Sequence, residues 1–224
     1  MQRISVNILG IRISFRNPFE TSNNKIVLIK NGKEKRLHFC PAKIKFYGTD
    51  SCVEFYNKIP KLKNVIINLG NNSTVRFHES KYRIKNLKID ARADNILVDT
   101  GKDFSIESGS IDFHGEPNTK VIIGDDCQFG CDVELDTADG HTIFDENSNI
   151  INEPKDIIIG NHVWLCKNVS ILKGTVIPDN CIAAKNSTLT KKYENTNRII
   201  AGTPASQKEK YISWCREAVK NYNK

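Results

Sequence analysis

From Ile159 every sixth residue is apolar: Ile159, Leu165, Ile171, Ile177, Ala183 and Leu189. The positions four further on in each step, Val163, Val169, Thr175, Cys181 and Ser187, are small or β-branched. A helix needs apolar spacings of three and four, and a half-buried strand needs a short alternation of two, so an unbroken six is neither. It is a structural repeat. Six residues suffice for a strand of three or four at ~3.3 Å each, followed by a tight corner. Three such faces close one triangular coil, and coils stack at ~4.8 Å with the large aliphatic inside and the small residue at the crowded corner. Gly160 and Gly174 are read as loose corners. Residues 156–191 then make two complete coils, and "VIIGDDCQFG" from Val121 repeats the opening of "IIIGNHVWLC" from Ile157, which predicts another coil upstream.

Before Lys120 the period blurs, yet short β-branched runs ("VIINL", "LKID", "ILVD") recur at coil spacing between Asn, Gly and Asp. The expected organisation is an N-terminal cap or irregular β segment over residues 1–46, since solenoid ends must be closed, and a solenoid over 47–203. Tyr211, Trp214, Cys215 and Ala218 lie at helical spacing and predict a short amphipathic C-terminal helix over 204–224. One stretch breaks the six: the polar residues 136–154, "DTADGHTIFDENSNIINEP", must leave the coil as an excursion.

A formal net charge of +7 raises nucleic acid, an anionic surface or an acidic substrate as partners. The Lys and Arg residues are spread along the chain without a single run, which favours a phosphorylated or carboxylated ligand over nucleic acid. No apolar run approaches the ~20 residues of a membrane span, and residues 1–20 lack the order of a signal peptide. A cytoplasmic protein is expected. Seven cysteines form no CxxC pair, Cys127 and Cys131 being the nearest, and are read as small buried thiols in a reducing compartment.

The run "IIIGNHVWLCKNVSILKGTVIPDNCIAAKNSTLTKKYENTNRIIAGTPAS" resembles the hexapeptide-repeat acyltransferases, and the "DGHTIFD" excursion after Asn-rich coils resembles their capsular polysaccharide and polysialic acid O-acetyltransferases. The resemblance implies an all-β, left-handed parallel β-helix. It also implies a homotrimer with active sites between subunits, and transfer of an acetyl group from acetyl-CoA to a sugar hydroxyl. Its catalytic histidine sits on an excursion of this kind, which matches His141.

A sugar hydroxyl is a weak nucleophile at neutral pH, and an imidazole in hydrogen-bond reach can take its proton as it attacks the thioester. His141 is the expected base, with Asp139 and Asp145 as candidates to orient it. Trp164 corresponds to the tryptophan of the family's V-W-I-G motif and offers a ring to stack on acceptor or pantetheine. The tetrahedral intermediate needs a donor for its oxyanion, which by resemblance is a backbone N–H at Cys166 or Lys167. Cys166 stands where the family has glycine. "IAAKNSTLTK" and "AGTPAS" carry Ala184, Lys185, Thr190, Lys191, Gly202 and Pro204 onto the coenzyme path, with Lys191, Lys192 and Arg198 as phosphate partners. Related β-helix enzymes, the trimeric carbonic anhydrases, bind zinc through three histidines, two of them closely spaced. His114, His141 and His162 lack that spacing, so no metal is expected and His162 is read as a solvent-facing corner residue.

Two other functions share these residues: an N-acetyltransferase of an amino-sugar nucleotide, with the same coenzyme groove and an amine acceptor, and a non-catalytic trimeric scaffold. Keeping both His141 and Trp164 argues against the scaffold. The basic balance favours an acidic acceptor.

Overall fold

The computed structural model describes residues 3–8, 11–16 and 22–222, with side chains from residue 22. Arg3–Ile8 and Ile11–Arg16 form an antiparallel hairpin. The rest is the expected left-handed parallel β-helix, three parallel sheets wound in rotation. The first face stacks Lys25–Lys30, Cys52–Tyr56, Thr74–Phe77, Leu97–Thr100, Lys120–Ile123, Ile157–Ile159 and Val176–Ile177, with Lys33–Arg36 added antiparallel at its edge. The second stacks Lys61–Lys63, Arg83–Lys85, Ser105–Ile106, Gln128–Phe129, Trp164–Leu165, Ile182–Ala183 and Ile199–Gly202, closed by antiparallel Ala205–Gln207. The third stacks Lys43–Phe46, Ile66–Leu69, Leu87–Ala91, Gly109–Asp112, Val133–Asp136, Ser170–Leu172 and Thr188–Leu189. Parallel pairing therefore begins inside the segment expected to be a cap, at Lys25 instead of near residue 47.

Every residue of the six-step series is buried, as are the small residues four positions on. Each buried Ile or Leu contributes ~1.5–3 kcal/mol by leaving water, and the buried hydroxyls are satisfied: Thr175 donates to the carbonyl of Leu172 at 2.6 Å and lies 3.1 Å from that of Leu189. Register gives the coil lengths. Val75 pairs with Val98 and Val98 with Val121, so upstream coils take 23 residues, whereas Ile159 pairs with Ile177 after 18. The extra residues lie in the corners, and larger aromatic fillers accompany the longer coils, with Phe55 stacked on Phe77 at 5.7 Å and Phe104 edge-on to Phe129 at 5.0 Å.

Asparagine marks the corners for a conformational reason. Asn64, Asn72, Asn86, Asn95, Asn118, Asn168, Asn180, Asn186 and Asn197 all have φ between 47° and 61°, the left-handed region that Asn and Asp tolerate best after glycine. They also bond their neighbours in the stack, as in Asn64 to Asn86 at 3.0 Å and Asn95 to Asn118 at 2.8 Å. Gly174 fits the loose-corner reading, with φ +77°. Gly160 does not. Its φ is unexceptional, and it is glycine because a Cβ there would strike the Asp179 carboxylate of the next coil.

Among the described residues the helix expected over 204–224 is not formed. After Ala205–Gln207 the chain runs back irregularly over the second face and makes only a 3-10 turn at Val219–Asn221. Trp214 and Arg216 show why: both pack on the second face, and residues two apart share a side of an extended chain but not of a helix.

Candidate active site

The excursion leaves the third face after Asp136 and returns at Ile157, so that Val121 and Ile157, 36 residues apart, occupy adjacent rungs. Its outer part is a hairpin in which Phe144 and Ile150 pair and the Ile151 N–H donates to the Ile143 carbonyl at 3.0 Å. Asp145 closes the tip by accepting the backbone N–H groups of Asn147 and Asn149, each at 2.8 Å. The Asn149 side-chain amide, which donates to Asp145 Oδ2 at 3.0 Å, and after it these backbone donors hold its carboxyl below the ordinary range.

The base of the loop is tied by residues that motif reading passed over. Asn152 donates to the His141 carbonyl at 2.7 Å and to Asp139 at 2.8 Å, and its own oxygen accepts the Ile143 N–H at 2.8 Å. Lys173, from the next coil, donates to Asp139 and, at 2.7 Å, to the Asn152 carbonyl. Lys173 depresses the Asp139 carboxyl, with Asn152 second. Asp139 thus fixes the loop backbone through Lys173 and Asn152, and Asp145 fixes its tip. Neither carboxylate bonds the His141 ring. The imidazole is exposed and has no bonded partner among the described residues, so both nitrogens are open to a substrate. Nothing in the repeat marks Lys173, and the only sequence signal for Asn152 is that it is polar and lies inside the break in period.

His141 borders two cavities. One, of ~140 Å³, lies within the loop and is lined by Asp139, Asn152 and Ile150; the other, of ~450 Å³, opens over the third face onto His114, Asp112, Asp90 and Arg92. His114 stands at a left-handed corner with its Nε2 2.9 Å from Asp136 Oδ1.

Trp164 is elsewhere. It points outward from the second face, half-buried, its ring 5.8 Å from that of Trp214. Together with residues 213–219 and Tyr222 it walls a cavity of ~580 Å³. The two cavities at His141 do not include Trp164 and the cavity at Trp164 does not include His141: the loop stands at the corner between third and first faces, and Trp164 on the second.

The remaining candidates divide by corner. Register places Cys166, Ala184 and Ala201 in one file and Lys167, Lys185 and Gly202 in the next, along the corner between second and third faces. Pro204 lies in the turn that follows, after a cis peptide bond. Thr190, Lys191 and Lys192 belong to the opposite corner. Arg198 precedes the last rung of the second face, its guanidinium 5.9 Å from the Tyr211 ring. One chain therefore assembles Ala184, Lys185, Gly202 and Pro204 beside Cys166 and Lys167, and leaves Thr190, Lys191 and Arg198 apart. The Cys166 N–H is already spent on the Ala183 carbonyl at 3.0 Å, and that of Lys167 has no such bond. Burial pushes the Cys166 thiol up, away from thiolate character.

His162 is not the solvent-facing residue that its corner suggested. Its ring stacks on Trp214 at 4.0 Å, Nδ1 lies 2.7 Å from Asp126, and Nε2 lies 3.0 Å from the Trp214 carbonyl. The cysteines also depart from a uniform buried set. Cys52 and Cys127 are buried, with thiols pushed up to about 12 by desolvation, but Cys131 and Cys215 are exposed. Among the described residues no group of three or more His, Cys, Asp or Glu is placed to hold a metal, and no helix is long and apolar enough to cross a membrane.

No family model matches the chain. The polysialic acid O-acetyltransferase of Escherichia coli O1:K1 / APEC is 40% identical over 97 residues, 43% of this chain and 31% of that protein. The polysialic acid O-acetyltransferase of Neisseria meningitidis is 52% identical over 56 residues, 25% of this chain and 26% of that one. The matched segments thus span less than a third of these curated relatives. The crystal structure of the polySia-specific acetyltransferase NeuO superposes with a TM-score of 0.74 at 28% identity, covering 90% of this chain and 88% of that chain. The polysialic acid O-acetyltransferase OatWY superposes at 0.50 and 26%, covering 81% and 94%. The resemblance to the hexapeptide-repeat acyltransferases, and within them to the polysialic acid O-acetyltransferases, therefore holds in both sequence and fold.

Proposed function

We propose that the chain is an O-acetyltransferase that moves an acetyl group from acetyl-CoA to a hydroxyl of an acidic capsular polysaccharide of the sialic acid type. The observation that carries this reading is His141, held by its backbone on a braced excursion while its ring is left unbonded. Similarity to two polysialic acid O-acetyltransferases supports the substrate class.

In the proposed reaction the imidazole takes the proton of the attacking hydroxyl, whose oxygen adds to the thioester carbonyl; collapse of the tetrahedral intermediate expels the coenzyme A thiolate, which the protonated imidazole reprotonates. The Lys167 N–H is the oxyanion donor, because that of Cys166 is engaged in the ladder. The pantetheine arm follows the corner marked by Cys166, Ala184 and Gly202, with Lys185 beside it. Transfer is direct, since the Cys166 thiol is held protonated by burial and has no base in contact. His141 and Trp164 meet only if His141 of one copy reaches Trp164 of another, which calls for a homotrimer with sites between subunits.

Thiol release from acetyl-CoA, measured with oligosialic acid and with a neutral oligosaccharide, tests the function. Release that depends on the acidic acceptor is the expected result. Release only with an amino-sugar nucleotide would replace O-transfer by N-transfer, and release with no acceptor tried would overturn the enzymatic reading.

A further inference from the structure

The positive charge that looked dispersed along the sequence is concentrated by position. Residues 22–63 hold ten Lys and Arg against three Asp and Glu, and residues 64–224 hold twenty against twenty-two. The excess therefore belongs to the first coils.

The register of the second face aligns part of it with Trp164. Lys61 pairs with Arg83; Arg83 and Ser105 precede the paired Ile84 and Ile106; Ser105 pairs with Gln128, and Gln128 with Trp164. Ile84, Ile106, Phe129 and Leu165, one residue later on each rung, are buried, so the five residues of this file all point outward. Lys61 and Arg83 are exposed and, among the described residues, have no carboxylate within ion-pair distance. Exposed Lys63 lies beside them. Three acidic neighbours of the file are already paired, Glu107 with Lys85 at 2.5 Å, Asp103 with Lys81 at 3.3 Å and Asp126 with Arg216 at 2.8 Å, while Glu217 at the Trp164 end is in no ion pair among the described residues.

Arg216 bridges the middle of the file. It donates to Ser105 Oγ at 2.8 Å and Gln128 Oε1 at 3.3 Å while its guanidinium lies 4.0 Å from the Tyr82 ring. Beyond it the file reaches Trp164 and the cavity shared with Trp214, and continues only as the apolar Ile182 and Ile199. Unpaired cations thus stand at one end and stacking rings at the other. Four rungs at ~4.8 Å separate Lys61 from Trp164, roughly 19 Å.

Resting on the acceptor class proposed above, we infer that this file is a binding track for a linear polyanionic glycan. The track holds carboxylates of the polymer at Lys61, Lys63 and Arg83 while a sugar further along the same strand lies against Trp164, whose ring suits the apolar face of a pyranose. A polymer long enough to engage both ends gains from linkage: once one end is held, the other binds at high effective concentration. A short oligomer reaches the Trp164 end alone. The anionic contacts are exposed, so their share weakens as salt shortens the Debye length below about 10 Å.

The test compares wild type with a Lys61→Glu/Arg83→Glu variant and with a Lys33→Glu/Lys35→Glu variant, which makes the same charge change on the hairpin at the edge of the first face, off the file. KM is measured for polysialic acid and for a short sialic acid oligomer. The expected result is a preference of wild type for the polymer of roughly tenfold or more, lost in the file variant, kept in the hairpin variant, and reduced by added salt. A wild type without length preference, or variants that lose it equally, would overturn the track. If wild type acetylates neither acceptor, the proposed function has failed and the track is judged by fluorescence anisotropy of labelled polysialic acid. Binding weakened in the file variant and not in the hairpin variant upholds it, and equal binding in all three proteins overturns it.

Discussion

His141 and His162 stand 21 positions apart, one in the break of the six-residue period and one at a corner of the repeat that follows, and the structure treats them in opposite ways. His141 lies on an excursion whose backbone is braced by Asn152, Lys173 and Asp139, and its ring bonds nothing in the described residues. His162 lies on a regular corner and its ring is stacked and bonded on both nitrogens by Trp214 and Asp126. An available imidazole on a fixed backbone suits chemistry. A saturated one suits anchoring, here of the segment that returns across the second face.

Breaking each histidine should therefore give different failures. His141→Ala should lower kcat by ~10²–10⁴, the usual loss for a general base, while leaving the unfolding midpoint near that of wild type. A His141→Ala enzyme with near-normal turnover would remove it from the base role. His162→Ala should do the reverse. Residues 208–222 should become sensitive to limited proteolysis, with stability falling by ~1–2 kcal/mol from two lost hydrogen bonds and a ring contact. Activity should fall less than tenfold, because the effect reaches Trp164 only through Trp214.

Bracing of the loop can be sharpened next. Asn152→Ala removes the bonds to the His141 carbonyl, the Ile143 N–H and the Asp139 carboxylate and should lower kcat several-fold with little change in KM for acetyl-CoA; equal effects on both would indicate general misfolding instead. The Asp139 to Lys173 tie carries a pH signature. Asp139 has a depressed carboxyl, so its contribution is present above the ordinary carboxylate pKa of about 4 and is lost as pH falls through the lower folded value. Protease cleavage within 137–156 should accelerate only below about pH 4, and Lys173→Met should abolish that pH step. The smallest effect is expected from Cys166→Ala. Turnover should change by less than about twofold, since the thiol has no part in direct transfer and its backbone N–H stays in the ladder. A collapse to the level of His141→Ala would revive a covalent acyl-cysteine.

Legibility in the sequence followed regularity. The period from Ile159 to Leu189 gave the coil, its interior and its small corner residues directly, because each six-residue face repeats the same packing problem. Upstream, corners of variable length hid the period, yet Asn64, Asn72, Asn86 and Asn95 between β-branched runs were its trace, each taking a left-handed conformation. Contacts between distant segments were not legible. Tyr211, Trp214, Cys215 and Ala218 have helical spacing, but Arg216 and Trp214 both turn to the second face, with Arg216 reaching Asp103, Ser105, Asp126, Cys127 and Gln128. Lys173 reaches the loop from the following coil with no local signal. Lys61 and Arg83, 22 residues apart, come into line with Trp164 only through register. The same limit explains why Thr190, Lys191 and Arg198 read as one site with Ala184 yet lie at other corners.

His141 and Trp164, which one chain keeps apart, are proposed to act together across two copies. His141→Ala and Trp164→Ala subunits, each expected to be nearly inactive alone, should be co-expressed with different tags, purified as mixed assemblies and assayed for acceptor-dependent thiol release. If sites form between subunits of a cyclic trimer, each mixed trimer regains one intact site of three, so the purified mixed assemblies recover about a third of wild-type turnover. Mixed trimers as inactive as either parent would contradict the shared site.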